Sequence, residues 1–178
     1  MSWFNYNNKN LIKYELLSRF NYNSSFATPE IKKIVLNLGI KKVNFKSLLL
    51  VTALLEIISC HKSLLADSKT SNISLKIRKG YPVGCFITLR NNDKDDFLKN
   101  VNINIFSKLK QFKSIKMSKR KIINSFNFSL ENLLVLNDLE QKYELFKDFI
   151  KVDISIVTDC KNINELLFLL ISYRLPLK

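Results

Sequence analysis

Glycine, proline and cysteine each occur only three times in 178 residues, and histidine once. The scarcities of glycine, histidine and cysteine each close off a class of chemistry. With Gly39, Gly80 and Gly84 as the whole supply, no Gly-x-Gly-x-x-Gly or Gly-x-x-x-x-Gly-Lys-Ser/Thr loop can be written. That excludes the dinucleotide and nucleoside-triphosphate cradles that need close backbone approach. A lone His61 rules out a His-x-x-x-His metal helix. Cys60, Cys85 and Cys160 are odd in number, far apart and without a Cys-x-x-Cys pair, so neither a disulfide framework nor a four-cysteine zinc site has support. Cys60 and His61 adjoin, but consecutive side chains point apart, whereas a nucleophile and its base must meet in space. Asp93, Asp95 and Asp96 lack the Gly and Glu of a calcium loop and read as the start of a helix. No catalytic residue, metal site or cofactor is expected, and the chain reads as a non-enzyme.

Long apolar runs are missing as well. None approaches the roughly 18 residues that cross a bilayer, and the longest, Ser47 to Ser59, reads as a buried helix. No membrane partner is expected. The first residues show no basic cluster leading into an apolar core, which argues against a secretory signal, and no arginine precedes Arg19, a poor match to a transit peptide. For an organellar protein, that pattern implies synthesis inside the organelle or earlier processing. No repeat and no Pro-, Gly- or Ser-rich linker interrupts the chain. One domain over 1–178 is expected, with an N-terminal helix region at 1–27 and an α+β body at 28–178.

Positive charge is abundant. Twenty-nine Lys and Arg face fifteen Asp and Glu, a net charge of +14, while 47% of residues are hydrophobic. The chain can therefore build a core and still present a strongly basic surface, for which a polyanion is the natural partner. Lysine outnumbers arginine 24 to 5, a bias of AT-rich coding genomes such as those of organelles. The charge is densest in the stretch 108–121, where Lys108, Lys110, Lys113, Lys116, Lys119, Arg120 and Lys121 occur without an acid. Such a block resists packing and reads as an exposed basic loop that meets phosphates.

Period-two alternation predicts strands. Ile34, Leu36 and Leu38 share a face opposite Lys33, Val35 and Asn37. Ile73, Leu75 and Ile77 oppose Thr70, Asn72, Ser74, Lys76 and Arg78, and Cys85, Ile87 and Leu89 oppose Phe86, Thr88 and Arg90. These last two segments predict an antiparallel hairpin about the Lys79–Gly84 turn, with Gly80, Pro82 and Gly84 supplying its backbone conformations. Val152, Ile154 and Ile156 predict another strand, and Phe126, Phe128 and Leu130 a further one. Helices are predicted at Asn10–Phe20, Ser47–Ser59, Asp93–Phe112 and Asn162–Arg174, the last with Asn162 and Glu165 at capping-box spacing. The expected class is α+β, an antiparallel sheet with helices packed on one face plus the basic loop. The polar face of the hairpin then offers Asn37, Lys76, Thr88 and Arg90 as amide, ammonium, hydroxyl and guanidinium donors for RNA phosphates and 2′-hydroxyls. Phe86 is placed either to stack on a base or to be covered by a helix.

Four blocks, in order, resemble one family. They are "FNYNS" at Phe20–Ser24, "TPEIKKIVLNLGI" at Thr28–Ile40, "SCHKSLLADSKTSNISLKIRKGYPVGCFITLR" at Ser59–Arg90 and "VDISIVTDCKNINELLFLL" at Val152–Leu170. Together they are similar to the bacterial-type large-subunit ribosomal protein L-five, over nearly the whole chain. The resemblance implies a structural role in the central protuberance of the large subunit, on 5S rRNA and large-subunit rRNA and beside neighbouring large-subunit proteins. It also implies a bridge to small-subunit protein S-thirteen and a contact with P-site tRNA. By match to the family's motifs, Asn37 and Thr88 belong to the 5S-contacting surface. His61, flanked by Lys62, replaces the family's glutamine, and one imidazole donor cannot reproduce both ends of an amide. Joined to the cations of the hairpin face and of the basic loop, these matches give the expected RNA-binding set Asn37, His61, Lys62, Lys76, Arg78, Thr88, Arg90, Lys113, Lys116, Lys119, Arg120 and Lys121. The tRNA-facing loop matches Ala66 to Asn72, with Lys69, Thr70, Ser71 and Asn72 as its contacts; Asp67 replaces a typical basic residue. The family's glycine-rich segment has no counterpart, and "KRKIINSFNFSLEN" stands in its place. Composition points to a mitochondrial ribosome, with a plastid or bacterial cytoplasm as the alternative. A free-standing RNA-binding or RNA-processing protein is the competing functional reading.

Overall fold

The structure is a computed structural model, which describes residues 3–40, 44–106, 108, 124–130, 133, 136–146, 149 and 151–177. The stretch 109–123, and with it Lys113, Lys116, Lys119, Arg120 and Lys121 of the expected basic loop, lies outside the described residues.

In chain order the elements are α1 (Trp3–Arg19), β1 (Ile31–Gly39), α2 (Phe45–Ser59), β2 (Leu64–Asp67), β3 (Pro82–Leu89), α3 (Asn91–Asn100), β4 (Ser125–Leu130), two single-turn helices α4 (Asn137–Glu140) and α5 (Tyr143–Phe146), β5 (Val152–Thr158) and α6 (Ile163–Ser172). The five strands form one sheet in the order β2-β3-β1-β5-β4. Every neighbouring pair is antiparallel, because each is bonded start to end. Ile40 N–H donates to Val83 O, Asp159 N–H to Glu30 O, and Thr158 N–H to Asn124 O. Leu64 pairs with Phe86 and Ala66 with Gly84. This is the α+β class that the alternation predicts.

The chain divides into two compact units, each assembled from separate stretches. The first comprises 1–34, 89–128 and 155–178. Here α1 packs on α6: Arg19 lies 4.6 Å over the Phe168 ring, and Phe20 meets the same ring edge-on with centroids 6.0 Å apart. Leu16, Leu166, Leu169 and Leu170 are buried with Ile31, Ile34, Phe126 and Ile156. The helix expected from Asp93 begins earlier, at Asn91, and continues as a wider π-helical turn over Val101–Phe106. Of its three aspartates only Asp93 lies in the first turn, and Asp95 is buried. The expected Asn162–Glu165 capping box takes another form. The Glu165 carboxylate accepts from the Lys161 backbone N–H at 3.1 Å and from the Asn162 side-chain amide at 3.0 Å, one residue upstream of the usual pattern.

The second unit comprises 35–88 and 129–154. In α2, Val51, Leu54, Leu55 and Ile58 recur at i, i+3, i+4 and i+7, which puts all four on one buried stripe. Leu36, Leu38, Cys85 and Ile87 are the buried alternate residues of β1 and β3. The Ser47 hydroxyl accepts from the Asn44 backbone N–H at 3.1 Å and donates to the Asn44 carbonyl, which closes the first turn of α2.

The expected hairpin is corrected here. Thr70–Arg78 is not a strand, and the partner of β3 is Leu64–Asp67. Ile73 and Leu75 do not face the core: Ile73 is 94% exposed and Leu75 57%. The intervening segment 68–81 closes on itself instead. Ser68 N–H donates to Tyr81 O and Gly80 N–H to Ser68 O, while Asn72 and Ile77 exchange both backbone hydrogen bonds at 2.9 Å. Between them Lys76 N–H reaches Ile73 O, the Asn72 side chain accepts from Ser74 N–H at 3.1 Å, and Lys76 adopts φ +55°. An Asx turn satisfies the backbone locally, so the alternation at 70–78 never needs a sheet partner. The glycines divide the labour that sequence reading assigned to one turn. Gly80 takes φ +84° at the end of the loop. Gly84 is buried inside β3, where a Cβ would sit 2.6 Å from the Leu38 carbonyl oxygen.

Candidate nucleic-acid interface

Strand alternation gives β1 and β3 two unlike sides in the second unit. If Leu36, Leu38, Cys85 and Ile87 point inward, Val35, Asn37, Phe86 and Thr88 must point outward. The Ile40–Val83 bond fixes the antiparallel register, which sets Asn37 opposite Phe86 and Val35 opposite Thr88. Asn37 and Thr88 are exposed, whereas Val35 and Phe86 are half-buried. On the other flank of β3, Leu64 is the partner of Phe86 and is itself exposed. The result is an amide and a hydroxyl on a flat floor of apolar side chains. Such a floor suits a sugar edge or base edge better than it suits a small ligand held in a cavity.

His61 and Lys62 stand exposed on the short connection from α2 to β2. That connection is pinned at both ends. Cys60 closes α2 in the left-handed conformation, φ +57°, and the Ser59 hydroxyl accepts from His61 N–H at 3.2 Å. Glu56 accepts from the backbone N–H and the hydroxyl of Ser63, at 3.0 and 3.1 Å. Those two bonds, with help from Lys62, hold the Glu56 carboxyl below its ordinary range. Cys60 therefore serves a helix end. Further along the same unit, the Ser129 hydroxyl donates to Asp153 at 2.7 Å.

Lys76 and Arg78 are placed elsewhere than expected. They belong to the 68–81 loop and not to the sheet face that carries Thr88. The loop holds Lys69, Lys76, Arg78 and Lys79 and no acid, and all four are exposed. Among the described residues none of the four pairs with a carboxylate, so all are available to phosphates. The stretch expected to face tRNA spans two elements. Ala66 and Asp67 are strand residues, Lys69, Thr70 and Ser71 line the neck of the loop, and Asn72 opens its tip. Arg90 follows β3 at the N-cap position of α3, in the first unit.

Sequence reading missed Leu64 and the Ile73–Leu75 tip. No signal marks β2, a four-residue edge strand in which two leucines stand side by side. The tip did carry one, since Asn followed two residues later by Ser is an Asx-turn pattern. Among the described residues no three His, Cys, Asp or Glu gather as metal ligands, and no helix is long and apolar enough to cross a membrane.

An open sheet face with polar donors and a cation-rich loop, on a chain of net charge +14, have the chemistry of the class of proteins that bind RNA. The comparisons narrow that class. Residues 82–177 match the model of the C-terminal part of the ribosomal L5 protein family. The large ribosomal subunit protein uL5m of Reclinomonas americana is 30% identical over 169 residues, which is 94% of this chain and 93% of that one. Protein uL5 of Buchnera aphidicola subsp. Cinara cedri is 35% identical over 94% of both chains, and uL5c of Stigeoclonium helveticum 30% identical over 94% and 93%. The chain belongs to the ribosomal L5 family. Its role is structural, in the large ribosomal subunit, and not enzymatic.

Proposed function

We propose that this protein binds 5S rRNA through the open face of β1 and β3, with Asn37 and Thr88 as its hydrogen-bonding groups. His61 and Lys62 flank that face, and Arg90 and the lysines and arginine at 113, 116, 119, 120 and 121 add phosphate contacts on large-subunit rRNA. The 68–81 loop reaches P-site tRNA, with Lys69, Thr70 and Ser71 at its neck and Asn72 at its tip. Small-subunit protein S-thirteen is the bridge partner. The whole chain, 1–178, acts as one ribosomal domain in a mitochondrial ribosome; its relatives include plastid and bacterial forms as well. The observation that carries the reading is the two-sidedness of β1 and β3: one side is wholly buried and apolar, while the other presents an exposed amide and hydroxyl at neighbouring positions.

The test compares the wild-type chain with Asn37→Ala/Thr88→Val on a 5S rRNA transcript. Loss of two hydrogen bonds to RNA, each worth roughly 0.5–1.5 kcal/mol, predicts binding about five- to 150-fold weaker, with the salt slope unchanged. A loop variant lacking Lys76, Arg78 and Lys79 should keep its 5S affinity. Wild-type affinity in the double variant would sink the assignment of this face, and recovery of the chain only in ribosome-free fractions would favour the free-standing alternative.

A further inference from the structure

In the first unit, Phe26 is 93% exposed, although it sits on ordered backbone. It occupies the centre of a 3₁₀ turn, Ser25–Ala27, between α1 and β1. Ala27 N–H donates to Ser24 O at 3.1 Å, and the buried Thr28 hydroxyl donates to Ser25 O at 3.0 Å. The ring is thus presented on a fixed turn. Leaving a phenylalanine in water forfeits roughly 1.5–3 kcal/mol of burial that a polar residue on the same turn would not forfeit. Among the residues just before it in sequence, Asn21, Asn23, Ser24 and Ser25 are polar, uncharged and exposed. No other large apolar side chain from 17 to 40 is exposed, so its neighbours in sequence add no greasy surface to the ring. Cations on either side of it in sequence are engaged: Arg19 lies over the Phe168 ring, and Lys32 pairs with Asp159 at 2.9 Å.

An exposed aromatic ring on a hydrogen-bonded turn, preceded in sequence by exposed amides and hydroxyls, fits one partner chemistry well. The ring offers a face to the flat apolar face of an unpaired base, and Asn and Ser can bond to its edge or to a 2′-hydroxyl. We propose that Phe26 is a stacking platform for an unpaired base of ribosomal RNA, separate from the β1–β3 face; this rests on the large-subunit assignment but not on the 5S assignment.

Two measurements test it. In the first, p-benzoylphenylalanine replaces Phe26 in one full-length chain and Thr88 in another, both are assembled into large subunits, and photo-crosslinks are mapped. The expected result is a crosslink from position 26 to a specific rRNA nucleotide. A crosslink to a ribosomal protein alone, or none from position 26, overturns the proposal. RNA capture at 26 with none at 88 would reject the β1–β3 face and keep this site. A chain that does not enter large subunits at all overturns both. In the second, Phe26→Trp, Phe26→Leu and Phe26→Ala chains are compared for retention on large subunits in rising salt. Stacking predicts that Trp holds as tightly as Phe, whereas Ala weakens roughly five- to a hundredfold and Leu by an intermediate amount, all at one salt slope. Equal retention by Leu and Phe would point to a protein pocket and overturn the proposal.

Discussion

Ile73–Ile77 and Cys85–Leu89 alternate apolar and polar residues with the same period, yet only the second is a strand. In the second, Cys85 and Ile87 are buried alongside Leu36 and Leu38 of β1, so each inward side chain has a surface waiting for it. In the first, Asn72 closes an Asx turn, Lys76 turns left-handed, and Ile73 and Leu75 are left in water. Period two states which residues can share a face; whether that face is buried depends on a partner strand at the right register. The exposed tip then becomes available for contact with another molecule, while the buried strand holds a binding face flat.

Substitutions that treat the two stretches alike should give unlike results. The largest contrast is expected from Leu36→Ala or Ile87→Ala against Ile73→Ala. The first two remove fully packed side chains and should cost about 2–5 kcal/mol in denaturant unfolding, whereas the third should stay within about 0.5 kcal/mol of wild type. Equal losses would show that Ile73 is part of a core. A middle-sized contrast separates the glycines. Gly84→Ala drives a Cβ against the Leu38 carbonyl, which is backbone and cannot swing aside, so about 1–3 kcal/mol and a disturbed β1–β3 pairing are expected. Gly80→Ala meets open space and bears only the cost of its left-handed backbone, roughly 1–2 kcal/mol, with β3 amide protection intact. Protection lost from β3 in both variants would contradict this division.

The smallest effect concerns the connection into β2. Glu56 has a lowered pKa because Ser63 donates two hydrogen bonds to its ionised form. The stabilisation is therefore complete above the ordinary value of 4.5 and is lost as pH falls below it through the folded-state value. Amide exchange at Ser63, corrected for intrinsic rates, should quicken several-fold below pH 4.5 in the wild type and show no such step in Glu56→Gln. Exchange in the 68–81 loop should not respond, since among the described residues no carboxylate anchors it.

Much of the fold is written locally. The four alternating segments at 34–38, 85–89, 126–130 and 152–156 all became strands with the expected residues inward, because each pairs along its length and buries one side. The 45–59 and 163–172 helices followed from their 3.6-residue stripes. Asn37 and Thr88 could be placed on an outer face from alternation alone, and net charge and motif order pointed to RNA. Other features were not local properties. The choice of Leu64–Asp67 over Thr70–Arg78 as the neighbour of β3 depends on which segment offers a free edge in register after α2. The need for glycine at position 84 arises from the approach of Leu38, 46 residues earlier. Lys76 and Arg78 left the sheet face because their backbone found its hydrogen bonds within the loop. Sequence sets side-chain period, charge and turn chemistry, which act over a few residues; the tertiary structure decides strand partner, close backbone contact and exposure, because those depend on surfaces brought together from distant parts of the chain.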